Sequence, residues 1–235
     1  MQVSVKDAAH LLAVDEETIY RWIRQGEMPS HRVNEEYRFN RSELLEWATG
    51  RGMRIAPDLF AVRDGGDQPL PSLSEALGIG GVAYHVAGTD PASVLRSVVG
   101  ALNLPAEVDR EYLFQVMMAR ESLGSTGIGD GIAVPHVRNP VVLHEAEPGV
   151  TLCYLDEAVD FHAIDGKPVD TLFVIVSPTV RVHLHLLSRL GFVLRDETFK
   201  TALRARPPRE ELLAALAKAE SKISPSSGTA SPRKS

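Results

Sequence analysis

His136 closes the stretch GIGDGIAVPH, in which three alternating glycines and a short apolar run lead into a proline and a histidine. Two chemistries suit this pattern. A glycine-rich segment lets backbone approach a phosphate closely, and an imidazole at the end of a strand can act as nucleophile, acid or base. Gly127, Gly129 and Gly131 do not form a dinucleotide fingerprint, because they lead into a strand and not a helix, and there is no P-loop lysine. The glycines before a strand and the Pro-His at its end instead predict a shaped rim around one exposed imidazole. The residues alone also allow His136 to be a structural histidine. A metal site would have to combine His136 with His183 and His185. Residues two apart on a helix point about 200° apart, so the last two cannot face one ion. No Asp or Glu stands at a metal-motif offset, and neither a metal nor another cofactor is expected. His10, His31, His85, His144 and His162 read as surface or packing residues.

The elements that must position His136 follow from the surrounding pattern. Asp90-Pro91 reads as a helix cap and first turn, continued by Leu95, Val98, Val99 and Leu102. Asp109 opens a second helix that ends near Glu121. IAV (132–134), VTLCYL (150–155) and VDTLFVIV (169–176) read as buried strands, with Asp165-Gly166 as a turn between the last two. Helices are predicted over about 180–195, 197–205 and 208–221. The larger segment, 73–220, is therefore α/β, with helices packed around a sheet of at least three strands.

Ahead of it lies a smaller unit, residues 1–51, followed by a linker-like segment, 52–72, rich in Pro and Gly. Ser4 and Asp7 are spaced as a capping box before Ala8, Leu11 and Leu12. Asp15 caps a second helix with Ile19, Trp22 and Ile23 inward and Gly26 as its stop. HRVNEEYRFN (31–40) reads as a hairpin, and Asn40 with Glu43 can cap a third helix carrying Leu44, Leu45 and Trp47. Two short helices joined this tightly are a helix-turn-helix candidate. The last fifteen residues, SKISPSSGTASPRKS, read as a disordered tail.

Composition sets the outer limits. The 235 residues are 44% hydrophobic and 24% charged, as in an ordinary soluble globular protein. No apolar run reaches the ~20 residues of a membrane span, and the start, MQVSVKDAAH, does not read as a signal peptide. Cys153 is the only cysteine, which excludes an intramolecular disulfide and fits a cytoplasmic protein. The net charge of −6 gives no whole-surface attraction to nucleic acid, and residues 1–54 carry a net −1.

Residues 3–48 resemble the MerR-like winged helix-turn-helix of the excisionase family: a valine, Ala-Ala and Leu-Leu pairs, Thr-Ile-Tyr-Arg-Trp-Ile, Gly-Glu-Met-Pro, then an Arg-x-x-x-x-Tyr-Arg hairpin. The resemblance implies that the helix over 15–24 enters the major groove, that Thr18, Arg21 and Arg24 face DNA, and that Arg32 and Arg38 on the wing meet phosphates. A domain this acidic would bind as a homodimer or with help. The alternative is that it docks another protein.

RESLGSTGIGDGIAVPH (120–136), VDFHAIDGKPVDTLFVIVSP (159–178) and HLHLLSRLGFVLRD (183–196) resemble the phosphotransferase-system IIA domains of the fructose, mannitol and nitrogen-regulatory group. The resemblance implies a central mixed sheet flanked by helices. It also implies that His136 accepts a phosphoryl group from the phosphocarrier HPr, with Arg120 near the phosphate and His183 as the second active-site histidine. Ser125 and Thr126 offer supporting hydroxyls. A loose phosphoryl-transfer transition state asks mainly for positioning and positive charge, and no metal is needed. Where many members continue Pro-His-Gly, this chain has Val137 and Arg138, which predicts an altered approach for the partner. The expectation is a cytoplasmic regulator in which a phosphorylatable IIA domain is coupled to a DNA-binding domain. The added charge would repel DNA or break a contact between the IIA domain and Arg21, Arg24 or Arg38. A phosphorelay protein that docks a protein, and a sensor no longer phosphorylated, are the other readings.

Overall fold

The computed structural model describes residues 2–33, 36–51, 53, 70–137 and 147–223. Most of the linker-like segment, most of the expected tail, Arg138 and His144 lie outside them.

In the N-terminal unit Ser4 accepts from the Asp7 N–H and Asp7 reaches back to Ser4, and this capping box opens α1 (Val5–Leu12). Asp15 caps α2 (Glu16–Arg24) through the Thr18 N–H at 2.6 Å, a contact of the kind that contributes about 1 kcal/mol. The hairpin forms from β2 (His31–Val33) and β3 (Glu36–Asn40), and α3 (Arg41–Gly50) follows directly. A third strand was not expected: β1 (Gln2–Ser4) pairs antiparallel with β3, giving the order β1-β3-β2. Its three residues are too few to show alternation. Ile19, Phe39, Leu44 and Leu45 are fully buried between these elements, and Trp22 packs edge-on against Trp47.

The larger unit begins with two further elements that the residue pattern did not reveal, α4 (Leu73–Gly80) and β4 (Val82–Val86). Gly78, Gly80 and Gly81 interrupt the periodicity there, yet a Cβ on Gly80 would run into the Val150 carbonyl, so the glycine is what lets α4 lie against the sheet. Then come α5 (Pro91–Ala101), capped by Asp90, and α6 (Arg110–Ser122), capped by Asp109. β5 (Gly127–Gly129), β6 (Ile132–Ala133), β7 (Gly149–Val159) and β8 (Val169–Val176) complete the sheet. α7 (Val180–Val193), α8 (Glu197–Arg204) and α9 (Arg209–Glu220) close the unit.

The sheet has five strands in the order β4-β7-β8-β6-β5. β7 pairs antiparallel with β8 and β5 with β6, while β4 with β7 and β6 with β8 run parallel. It is a mixed sheet flanked by helices. The central strands read as unbroken apolar runs because both faces are covered. Val150, Leu152, Tyr154, Phe173 and Ile175 join one core; Cys153, Leu155, Leu172, Val174 and Val176 join the other, with α5 and α6. The first core is continuous with that of the N-terminal unit. α3 lies against α7 and β5, and Thr49 fills the space left by Gly191, where a Cβ would stand 3.2 Å from the Thr49 methyl carbon.

Candidate active site

The alternating glycines fold as the β5–β6 hairpin. A Cβ on Gly127 would lie 2.7 Å from that of Ala163, and Gly129 takes a φ of +95°, so neither position accepts a side chain without strain. Beyond β6 the chain continues beside β8, and His136 bridges to Ile175. Its Nδ1 lies 2.7 Å from the Val134 carbonyl. A carbonyl oxygen only accepts, so Nδ1 carries the hydrogen and Nε2 is the nitrogen left to act as a nucleophile.

Three side chains gather around that nitrogen. The His183 ring lies 4.9 Å from the His136 ring, centroid to centroid, tilted by 38°. His183 is buried in the first turn of α7, whose N-cap is Thr179. Its ring nitrogens make no hydrogen bond among the described residues. Burial, with the neighbouring His136 ring adding to it, holds the His183 pKa down at about 3, so the ring is neutral. Arg120, near the end of α6, donates to the Gly124 carbonyl at 2.8 Å and to Glu46 at 2.8 Å. Glu46 is the residue that sequence reasoning missed. It stands on α3, and its other carboxylate oxygen lies 2.9 Å from His136 Nε2, off the line of a well-aligned hydrogen bond.

His136 is therefore not an exposed imidazole: only 3% of it is accessible, because α3 of the N-terminal unit covers it. The expectation failed because residues 120–136 carry no sign of a contact with another unit. Val137, expected to alter a partner's approach, is itself buried in the second core. Ser125 and Thr126 are beside the site with their hydroxyls committed: Ser125 donates to the Phe161 carbonyl, and Thr126 donates to Glu121 at 2.6 Å. His185 points elsewhere, to the Pro71 carbonyl at 2.9 Å. The metal-capable trio among the described residues is instead Glu46, His136 and His183, whose donor atoms lie within 4.8 Å of one another. Arg120 already places a cation on that carboxylate, which opposes a second one.

Residues 82–219 match the family described as phosphoenolpyruvate-dependent sugar phosphotransferase system, EIIA 2. The chain belongs to that family. Residues 3–52 match a helix-turn-helix domain, so the IIA domain follows a helix-turn-helix domain in one chain. A nitrogen regulatory protein of Pseudomonas aeruginosa is 38% identical over 144 residues, which cover 60% of this chain and 91% of the relative. That of Escherichia coli is 41% identical over 113 residues, 47% of this chain and 66% of its own. The crystal structure of nitrogen regulatory protein IIA-Ntr from Neisseria meningitidis is similar with a TM-score of 0.50 at 28% identity, covering 57% of this chain and 91% of that one. No helix among the described residues is long and apolar enough to cross a membrane.

In the helix-turn-helix domain, Arg21 and Arg24 lie exposed on α2, and Arg21 approaches the Thr18 hydroxyl at 3.4 Å. Arg32 sits over the Tyr37 ring at 5.7 Å, and Tyr37 meets Tyr20 of α2 edge-on at 6.2 Å. This aromatic seam ties the helix to the wing. Arg38 pairs with Glu36 at 2.6 Å within its own hairpin. Glu46 reaches across the two domains to Arg120 and His136, whereas among the described residues Arg38 pairs within its own hairpin and Arg21 and Arg24 lie exposed, unlike the expected contact.

Proposed function

We propose that His136 accepts a phosphoryl group on Nε2 from an HPr-like phosphocarrier, and that the helix-turn-helix domain carries the state of that histidine to DNA in the cytoplasm. The observation that supports this best is the pinned ring. With Nδ1–H held by Val134, the imidazole offers one nucleophilic nitrogen in one direction, beside the Arg120 cation and the neutral His183 ring. In the transfer the Nε2 lone pair forms the new N–P bond while the N–P bond of the donor's phosphohistidine breaks and its electron pair returns to the donor ring. Each ring keeps the hydrogen on its other nitrogen, so no proton has to move and nothing is oxidised or reduced. Arg120 can neutralise charge on the transferring oxygens, and His183, an uncharged donor near a helix N-terminus, can add a hydrogen bond.

Toward DNA, α2 offers Arg21 and Arg24 with Thr18, and the wing offers Arg32 and Arg38. A net charge of −1 over residues 1–54 suits a homodimer, which doubles the number of phosphate contacts. The test of the acceptor is incubation of the full chain with phosphoenolpyruvate, enzyme I and HPr, followed by intact-mass measurement. Wild type is expected to gain one acid-labile phosphoryl group and His136→Ala none. Equal labelling of the two would remove His136 from the role.

A further inference from the structure

Glu46 occupies the place the phosphoryl group would take. Its side chain is 7% exposed, one oxygen is 2.8 Å from Arg120, and the other is 2.9 Å from the only ring nitrogen of His136 that can be phosphorylated. A carboxylate offers Arg120 what a phosphoryl group would offer it at such a site: negative oxygens for a guanidinium to hold. Residual space beside it is about 40 Å³, bounded by Glu46, Arg120, Thr126, Val134, His136 and Leu187. That holds a water or two; it does not admit a phosphoryl group presented by another protein.

We propose that the helix-turn-helix domain is an intramolecular plug of the phosphoacceptor, with Glu46 as the stand-in for the phosphoryl group, so that docking of α3 and phosphorylation of His136 exclude one another. This rests on the reading of His136 as the acceptor. While α3 is seated, Glu46 lies against Nε2 and fills the space through which phosphorus must reach it. Once His136 is phosphorylated, it carries between one and two negative charges. Those charges would lie against the Glu46 carboxylate in a site shielded from water, where like charges repel strongly, and both would compete for Arg120. Opening the interface relieves the conflict. By linkage the effect is reciprocal: what blocks phosphorylation when docked is what phosphorylation expels. Beyond Glu46, α3 approaches α7 closely where Gly191 has no side chain and Thr49 fills the gap.

The same close approach supplies the test. A Cβ on Gly191 would stand 3.8 Å from that of Thr49, the mean separation of a disulfide. Cys153, buried with its thiol pushed up to about 12 by desolvation, does not compete. Full-length Thr49→Cys/Gly191→Cys is labelled with phosphoenolpyruvate, enzyme I and HPr, oxidised and then reduced. The oxidised chain is expected to label at least roughly tenfold more slowly than the reduced one, and Glu46→Ala to label roughly 5- to 150-fold faster than wild type. Equal rates for oxidised and reduced chains overturn the plug and leave His136 as the acceptor. Failure of the cysteine pair to close overturns the docked arrangement itself. Absence of label from wild type, the reduced chain and Glu46→Ala alike overturns the acceptor reading, and the plug with it. Should the cysteine variant not fold, Glu46→Ala decides alone: an unchanged rate overturns the plug.

Discussion

Two inward-facing carboxylates in this molecule do opposite things. Glu220 at the end of α9 accepts from the Leu73 N–H at 2.6 Å, the Ser74 N–H at 3.1 Å, the Ser74 hydroxyl at 2.8 Å and Arg189 Nε at 2.6 Å. Burial pushes its carboxyl up, but these donors more than offset that and hold its pKa below the usual value. All its partners belong to the IIA domain, so the charge locks α4, α7 and α9 into one body. Glu46 is as shielded, yet Arg120 and His136 beside it stand on the other domain and, on the proposed reading, have a second use. A buried charge whose partners share its own body is a rivet. One whose partners are reactive and belong to another body is a latch.

The largest effect expected from this contrast is on stability. Glu220→Ala leaves Arg189 and two helix N–H groups without their acceptor, and should lower the urea-unfolding free energy of the IIA domain by about 3–5 kcal/mol. Glu46→Ala should cost that domain less than about 1 kcal/mol, because the domains can part and return Arg120 to water. Equal losses for the two variants would mean that Glu46 is a second rivet.

How much of this was legible in the sequence follows the same division. The capping residues Ser4, Asp7, Asp15, Asp90 and Asp109 mark their helices because a cap is a local hydrogen bond between near neighbours. The apolar runs of β7 and β8 mark the sheet for a similar reason. The histidine stood out through its motif, whereas its burial did not, because Glu46 lies 74 residues before Arg120 and on the far side of the linker. No periodicity encodes such a pairing. α4 and β4 escaped for a local reason: glycines needed for close packing erase the helical pattern, and β4 is an edge strand whose Tyr84 and His85 are exposed.

A smaller effect separates a carboxylate buried as an ion from an imidazole buried as a neutral ring. The folded-state pKa of His183, held down at about 3, lies below the ordinary histidine value of 6.5. Between those values the unfolded chain binds more protons than the folded one, so stability falls as pH falls from about 6.5, by up to about 1.4 kcal/mol per unit for one proton. His183→Gln cannot titrate. The drop in urea midpoint between pH 7.5 and 5 should be smaller in the variant than in wild type, and an equal drop would show that His183 is not buried as a neutral ring.

The smallest effect concerns DNA, and it tests whether α2 and α3 of one small domain face different tasks. α3 turns Glu46 and Thr49 toward the IIA domain, while Arg21 and Arg24 on α2 remain exposed with the interface closed. Docking therefore leaves the Arg21 and Arg24 face of α2 uncovered, and on the proposed reading phosphorylation, by releasing the domain, should change duplex affinity only by a factor of a few, at the low end of the usual 5- to 150-fold range of coupling. The arginines should matter more uniformly: Arg21→Ala is expected to lower the slope of log affinity against log salt by about one contact. Both can be read from salt titrations of a random-sequence duplex against wild type before and after phosphorylation, with His136→Ala and Arg21→Ala beside it. A slope unchanged by Arg21→Ala would take α2 out of the DNA contact. A change above a hundredfold on phosphorylation, absent in His136→Ala, would show that the faces of α2 and α3 are not independent, and that closing the latch also withdraws the helix that touches DNA.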